Sequence, residues 1–259
     1  MLKLFTPFTS HKYLLFQLTQ KEIKARYKQS IVGYAWVLLN PIALLAIYSF
    51  VFSIVFRFPT NDVPYPVFLF VALLPWIFFQ TSIQTATNSL VSHAELLKKV
   101  AFPREVIPYA VVLGKLVDFA FAVLIFFVFV FFFDVQLHLT ALWFIPLFTI
   151  HILLCTGVSL FLAAANLLYR DVQYLTGLLL LFWFYASPIV YPMSLVPEQY
   201  LWLYKLNPVV GLTEAYRSLL FGYPVETTIV WWAIGVSISV FIFGFVVFKK
   251  LERVFADLV

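Results

Sequence analysis

The sequence predicts an all-α integral membrane fold. It has six transmembrane helices, an amphipathic helix ahead of them, a short charged cytoplasmic helix after the second, and re-entrant external helices before the last. Three observations support this. Hydrophobic residues make up 63% of the chain and charged residues 11%, against ~45–50% and ~25% in soluble domains, so the bilayer must be the main solvent. Six apolar runs, near 31–56, 67–91, 106–133, 141–168, 174–193 and 228–248, can each cover a hydrocarbon layer of ~30 Å, which takes about 20 helical residues. Finally, the cations are unevenly placed. With both termini cytoplasmic, the inner segments hold Lys3, Lys12, Lys21, Lys24, Arg26, Lys28, Lys98, Lys99, Arg104, Arg170, Lys249, Lys250 and Arg253. The outer segments keep only Arg57, Lys205 and Arg217, a strong positive-inside pattern.

Residues 1–30 form the first unit and 31–259 the six-span membrane domain. The first unit lacks the apolar stretch that a signal peptide carries behind its basic start. On a helical wheel Phe16, Ile23 and Tyr27 lie opposite Lys21, Lys24 and Lys28. This suits either a helix lying on the inner membrane surface or a solvated leader. In the second span Gln80, Thr81, Gln84, Thr85, Thr87 and Asn88 share one broad face, with Phe79, Ile83, Ala86 and Leu90 on the other. Uncharged amides and hydroxyls in a span either join helices or line a wet path, and they suit a neutral hydroxyl-rich cargo better than an ion.

The segment ELLKKVAFPREVIP, Glu95 to Pro108, interrupts the apolar chain with two lysines, an arginine, two glutamates and two prolines. It is either a solvated loop that sets topology or a docking handle for another protein. In the third span Lys115 and Asp118, three residues apart, fall on one helical face. Mutual pairing is the economical arrangement for two charges at that depth, with a proton relay as the alternative. The segment from Ser187 to Pro224 carries five prolines yet stays rich in Leu, Val and Tyr, as expected of short helices dipping back into the outer face. Glu214 and Arg217 can pair there at i, i+3.

Several chemistries have no motif. The Gly114-Lys115 pair is not part of a phosphate-cradling loop, and no HExxH, GxSxG or CxxC occurs. The four histidines fall in different segments and make no obvious metal site, and one cysteine rules out a disulfide scaffold. His151 and Cys155, one turn apart, read as a packed pair. The net charge of +5 is explained by topology rather than by nucleic acid.

Four stretches together carry a resemblance: KEIKARYKQSIVGYAWVLLNP, LLKKVAFPREVIP, NLLYRDVQYL and SPIVYP followed by LNPVVGLTEAYRSLLFG. In this order across six spans the chain resembles the membrane permeases of type-2 ATP-binding-cassette exporters, most of all the branch exporting O-antigen polysaccharide or teichoic acid. The resemblance implies a homodimeric channel in a bacterial cytoplasmic (inner) membrane, driven by two copies of a separate P-loop ATPase. ATP and Mg would sit on that ATPase and no cofactor on this chain, and the cargo would be a lipid-linked polysaccharide. It implies an ATPase-coupling helix within Glu95, Leu96, Leu97, Lys98, Lys99, Phe102, Pro103 and Arg104, with a smaller contact at Tyr169–Gln173 that includes Arg170 and Asp171. The leader becomes an interface helix. Tyr34, Trp36, Trp76 and Tyr185, with Gln80, Gln84 and Asn88, would line the channel. Pro188, Tyr191, Pro192, Asn207, Pro208, Glu214 and Arg217 would belong to an outer gate. The competing readings are a type-2 exporter of drugs or lipids, an ion-coupled secondary transporter resting on Lys115 and Asp118, and a membrane-embedded enzyme, which would need a catalytic cluster not seen here.

Overall fold

The computed structural model describes residues 11–27, 32–60 and 63–255. The expectations for Lys3 and Lys28, and for the side chains of Arg26 and Tyr27, lie outside the described residues. Among those residues the chain forms ten α-helices and no strand: α1 Lys12–Tyr27, α2 Trp36–Ser49, α3 Tyr65–Ser92, α4 Ala94–Lys99, α5 Val106–Phe132, α6 Phe144–Leu168, α7 Val172–Tyr185, α8 Glu198–Leu206, α9 Pro208–Phe221 and α10 Thr227–Leu251. Short 3-10 turns lead into α2 and α6, and a π-helical stretch, Phe50–Val55, continues α2. Five helical segments are long and apolar enough to cross a membrane: Gly33–Val55, Tyr65–Ser92, Val106–Phe132, Leu139–Leu168 and Thr227–Val254.

The fifth expected span departs from this. Its run covers 174–193, but α7 stops at Tyr185 after 14 residues, a rise of about 21 Å at ~1.5 Å per residue, short of the hydrocarbon layer. Pro188 explains the stop, since proline disfavours helical geometry at the residue before it and offers no N–H. The chain turns at Ser187 and continues through two short helices, α8 and α9, before the last span.

The core is arranged around α3, which is enclosed along most of its length by α2, α5, α6, α7 and α9. Of its two prolines, Pro66 lies in the first turn and Pro75 is buried within the helix. Helix α10 packs on α6 and α9. The α6 contact is close: a Cβ added to Gly244 would lie 2.1 Å from the Gly157 carbonyl oxygen, so the two backbones meet where only hydrogen fits, as small residues allow in membrane bundles. Helix α9 meets α10 in the same way at Gly211, against Ile229 and Ala233. His151 and Cys155 are fully buried, and the His151 ring shares a 3.0 Å hydrogen bond with the Tyr216 hydroxyl.

A second apolar cluster closes the other end. Leu15 and Leu18 of α1 meet Leu90 of α3, Leu97 of α4, Val106 and Ile107 of α5, Leu167 of α6, Phe248 of α10, and Phe255 just beyond the last span. The two ends of the described chain therefore lie at the same end of the bundle. Helix α1 turns Leu15 and Leu18 toward the interior, while Phe16 of the wheel's apolar group is exposed and Ile23 half-buried. The helix carries two apolar strips, and the interior takes the leucine one.

Candidate functional site

The segment after α3 is built as a handle with one side anchored. Helix α4 is only six residues long. Leu97 drives into the second cluster and Leu96 and Phe102 pack against it, whereas Glu95, Lys98 and Lys99 face outward. Lys99 bridges Glu95 at 3.1 Å across one turn, an exposed pair worth little in stability. Pro103 is half-buried.

Arg104 was expected among the cations offered to a partner, and the structure corrects that. Its backbone N–H donates to Glu252 Oε1 at 3.0 Å, its guanidinium donates to the Glu252 carbonyl, and it lies over the Phe255 ring. Beside it Glu105, 1% exposed, accepts from Lys249 Nζ at 2.7 Å, and Lys249 also donates to Glu252 at 2.9 Å. This four-residue latch ties the handle to the C-terminal end of α10. Sequence reasoning missed Glu105, Lys249 and Glu252; the only local signal is the i, i+3 spacing of Lys249 and Glu252. The second inner contact, Arg170 and Asp171, is exposed in the turn that follows Leu167, at the same end as Leu97. Asn166 stiffens that turn by accepting from the Gln173 N–H at 3.0 Å.

The candidate channel residues divide. Gln84 and Asn88 are exposed and Gln80 half-buried, on a helix whose other faces are enclosed. Phe79, Ile83, Ala86 and Leu90 are buried as expected. Thr87 is not on the polar face; it is buried and donates to the Ile83 carbonyl at 2.7 Å. Trp76 is corrected as well. It is 2% exposed, donates to Gln80 at 3.0 Å and packs on Phe79 and Phe184, so within one chain it supports the wall rather than forming its surface. Tyr34, Trp36 and Tyr185 are exposed. Lys115 and Asp118 are half-buried and line one cavity together.

The outer segment is held by a polar joint and a buried cation. Asn207 caps α9 and uses its whole amide. Its oxygen accepts from Trp183 Nε1 at 2.8 Å and from the Val209 N–H at 3.0 Å. Its nitrogen donates to the Ala186 carbonyl at 3.1 Å and to Ser187 Oγ at 2.9 Å. Pro208, at the first helical position where no N–H is missed, and Pro188 are both buried. Arg217 is 2% exposed. It bridges Glu214 at 3.0 Å, donates to the Ile189 carbonyl at 3.0 Å and lies 3.7 Å from the centre of the Phe68 ring. Tyr65 donates to the next carbonyl, that of Val190, at 2.6 Å. Tyr191 donates to the Tyr185 carbonyl and shares a 2.7 Å hydrogen bond with Tyr204. Tyr185, Tyr191, Tyr200 and Tyr204 surround a cavity of about 580 Å³, beside the half-buried Pro192. Such a site offers phenol rings and hydroxyls but no net charge.

Comparison of the sequence with known proteins finds a family. Residues 13–221 match the model of the ABC-2 type transporter family. The chain is 31% identical over 246 residues to an O-antigen export system permease protein RfbA of Klebsiella pneumoniae, covering 95% of this chain and 94% of the relative. It is 32% identical over 228 residues to the protein of the same name in Myxococcus xanthus, covering 85% of each. A polysialic acid transport protein KpsM of Escherichia coli is 25% identical over 224 residues, covering 83% of this chain and 84% of the relative. The matched region takes in the anchored handle, the amide-bearing face of α3 and the Asn207 joint, and with that extent of similarity the chain belongs to the ABC-2 type transporter family.

Proposed function

We propose that this multi-pass chain is the membrane half of an ATP-driven exporter of cell-surface polysaccharide. It acts as a homodimer with two copies of a separate P-loop ATPase, in a cytoplasmic membrane with both termini inside. The named relatives support a polysaccharide cargo, and the lipid-linked form is part of the proposal. ATP and Mg belong to the ATPase; this chain supplies the path and the handle.

The observation that carries the reading is the seating of α4. Its outward face shows Glu95, Lys98 and Lys99, its inward face inserts Leu97 into a core shared by α1, α3, α5, α6 and α10, and the latch behind it grips the last span. A helix so anchored moves the bundle when it is moved. Packed interiors transmit displacement because they resist compression.

The test is a pull-down of the ATPase by the permease with Lys98→Glu and Lys99→Glu together, alongside export in cells. Reversing two exposed charges should weaken docking about 10-fold or more, mostly through charge complementarity at the rim, and stop export while the permease still inserts. Undiminished docking with normal export would remove α4 from the interface.

A further inference from the structure

A long groove opens between α6, α7 and α10, and residues of α8 close one end of it. Its volume is about 750 Å³, within the ~300–1,000 Å³ of small-molecule pockets. The floor is dry: Ile83 and Leu180 are buried, as is Gly157, where the α6 and α10 backbones meet. Phe161, Leu179, Phe182, Leu203, Leu206 and Phe243 form exposed walls. Helices α6 and α10 belong to segments able to cross a membrane, whereas α7, on the third side, stops after 14 residues. The groove follows α7 from Thr176 to Ala186, about 15 Å at ~1.5 Å per residue. That is half of a hydrocarbon layer of ~30 Å, the depth of one leaflet.

What fills it follows from the polar side chains of the lining. Among the described residues these are Thr176, Trp183, Tyr204 and Asn207, and none is charged. Every donor they carry is already donating within the chain. Thr176 donates to the Val172 carbonyl at 2.7 Å, and Trp183 donates to Asn207. The Asn207 amide nitrogen is taken up by the Ala186 carbonyl and Ser187. Because Tyr191 donates to the Tyr185 carbonyl, the proton between Tyr191 and Tyr204 comes from Tyr204. A sugar, an ion or a headgroup would therefore leave polar atoms unpaired in an apolar site, which is costly. Water fares no better, since apolar cavities stay dry. Hydrocarbon loses nothing by entering. A second copy would bring a helix ~10–12 Å across with its side chains, which suits the rim better than a floor closing on Gly157. Among hydrocarbon sources, phospholipid tails are in large excess in any bilayer and occupy such a site by mass action.

We propose that this groove is a binding site for one acyl tail of a membrane phospholipid, which completes the packing beside the short α7. Such a site depends only on the chain lying in a bilayer, and not on the cargo it moves. The tail lies along α7 from Thr176 to Ala186, flanked by the rings of Phe161, Phe182 and Phe243.

The test uses the permease with its ATPase in vesicles of palmitoyl-oleoyl phosphatidylcholine and phosphatidylglycerol. A trace of the phosphatidylcholine carries a diazirine near the end of one acyl chain, and adducts are mapped by mass spectrometry after irradiation. Leu124 and Val128, exposed on α5, report passing contact with the bilayer. Phe161, Leu179, Phe182 and Phe243 should be labelled about fivefold more than these, the mark of a preference of roughly 1 kcal/mol. Leu179→Trp and, separately, Val240→Phe put bulk into the groove, and each should bring its labelling down to the α5 level without changing α5 itself. Groove labelling no greater than that of α5, or undiminished by both substitutions, would overturn the proposal. Two further outcomes would do the same. Loss of labelling to a polyprenyl phosphate, at a fraction where unlabelled dioleoyl phosphatidylcholine has no effect, would assign the groove to an isoprenoid. Disulfide formation between two copies through Phe243→Cys would place a second copy over it.

Discussion

Lys249→Met should loosen the latch and uncouple ATP hydrolysis from export. Glu105 is 1% exposed and Lys249 28%, so the substitution leaves a carboxylate in a nearly dry site with its Oε2 partner gone. Removing one member of a fully buried pair costs ~3–5 kcal/mol, and exposed pairs contribute ~0–1 kcal/mol. With one partner buried and the other about a quarter exposed, a loss of ~2–3 kcal/mol is expected between those limits. Glu105→Gln keeps the shape and still offers an acceptor to the ammonium, so it should cost ~1–2 kcal/mol. The double variant carries no stranded charge from this pair and should cost less than the two single losses added, with a coupling energy of ~1–2 kcal/mol. Thermal unfolding in nanodiscs measures the stabilities, and polysaccharide exported per ATP hydrolysed measures the coupling. If the two substitutions are additive within ~0.5 kcal/mol and export per ATP is unchanged, the latch neither holds the handle nor transmits its motion.

Gly244→Ala places a methyl where the Gly157 carbonyl oxygen already lies, so α6 and α10 must separate. An unfolding loss of ~1–3 kcal/mol is expected, while Gly235→Ala on the same helix, with open space around it, should be neutral or gain up to ~1 kcal/mol from helix propensity. Arg217→Met removes the partner of Glu214, the Ile189 carbonyl and the Phe68 ring. With Glu214 about a quarter exposed, it should lower stability by ~2–3 kcal/mol, and Arg217→Lys should restore only part because an ammonium lacks the planar fork; full rescue by lysine in the same unfolding assay would show that charge alone suffices.

The existence and order of the long helices were readable from apolar runs because hydrocarbon admits no alternative to internally bonded backbone. What was not readable is mostly non-local. The run 174–193 is apolar throughout, and only Pro188 hinted that the helix would end at Tyr185. Trp76 was expected to line the channel from the family resemblance, and neither that nor periodicity can say which side of a helix enclosed by five neighbours stays open. Phe16 and Leu15 are equally apolar to a helical wheel, and it is the small core around Leu97 that selects the leucines. Arg104 carried a surface-like signal, yet its partner Glu252 lies 148 residues away. The amide face of α3 was legible because Gln80, Gln84 and Asn88 recur at helical spacing.

Three of the tightest contacts in the molecule fall on α10. Its C-terminal end holds the latch at Lys249, its middle presses Gly244 on Gly157, and its N-terminal turns receive Gly211 of α9 against Ile229 and Ala233. Helix α9 in turn carries Arg217, which grips the Ile189 carbonyl in the outer turn after α7. With 25 residues α10 is about 37 Å long at ~1.5 Å per residue, enough to join the two membrane faces in one rigid element. A packed route therefore runs from the α4–α5 connection, where Arg104 and Glu105 lie, through α10 and α9 to the turn after α7. Chains of packed side chains and ion pairs can carry coupling between distant sites, and two of the contacts here tolerate little change: a glycine with no room for a methyl and a buried carboxylate held by its ammonium. Under the function proposed above, that intolerance would carry a push at α4 to Ile189 as motion instead of absorbing it on the way.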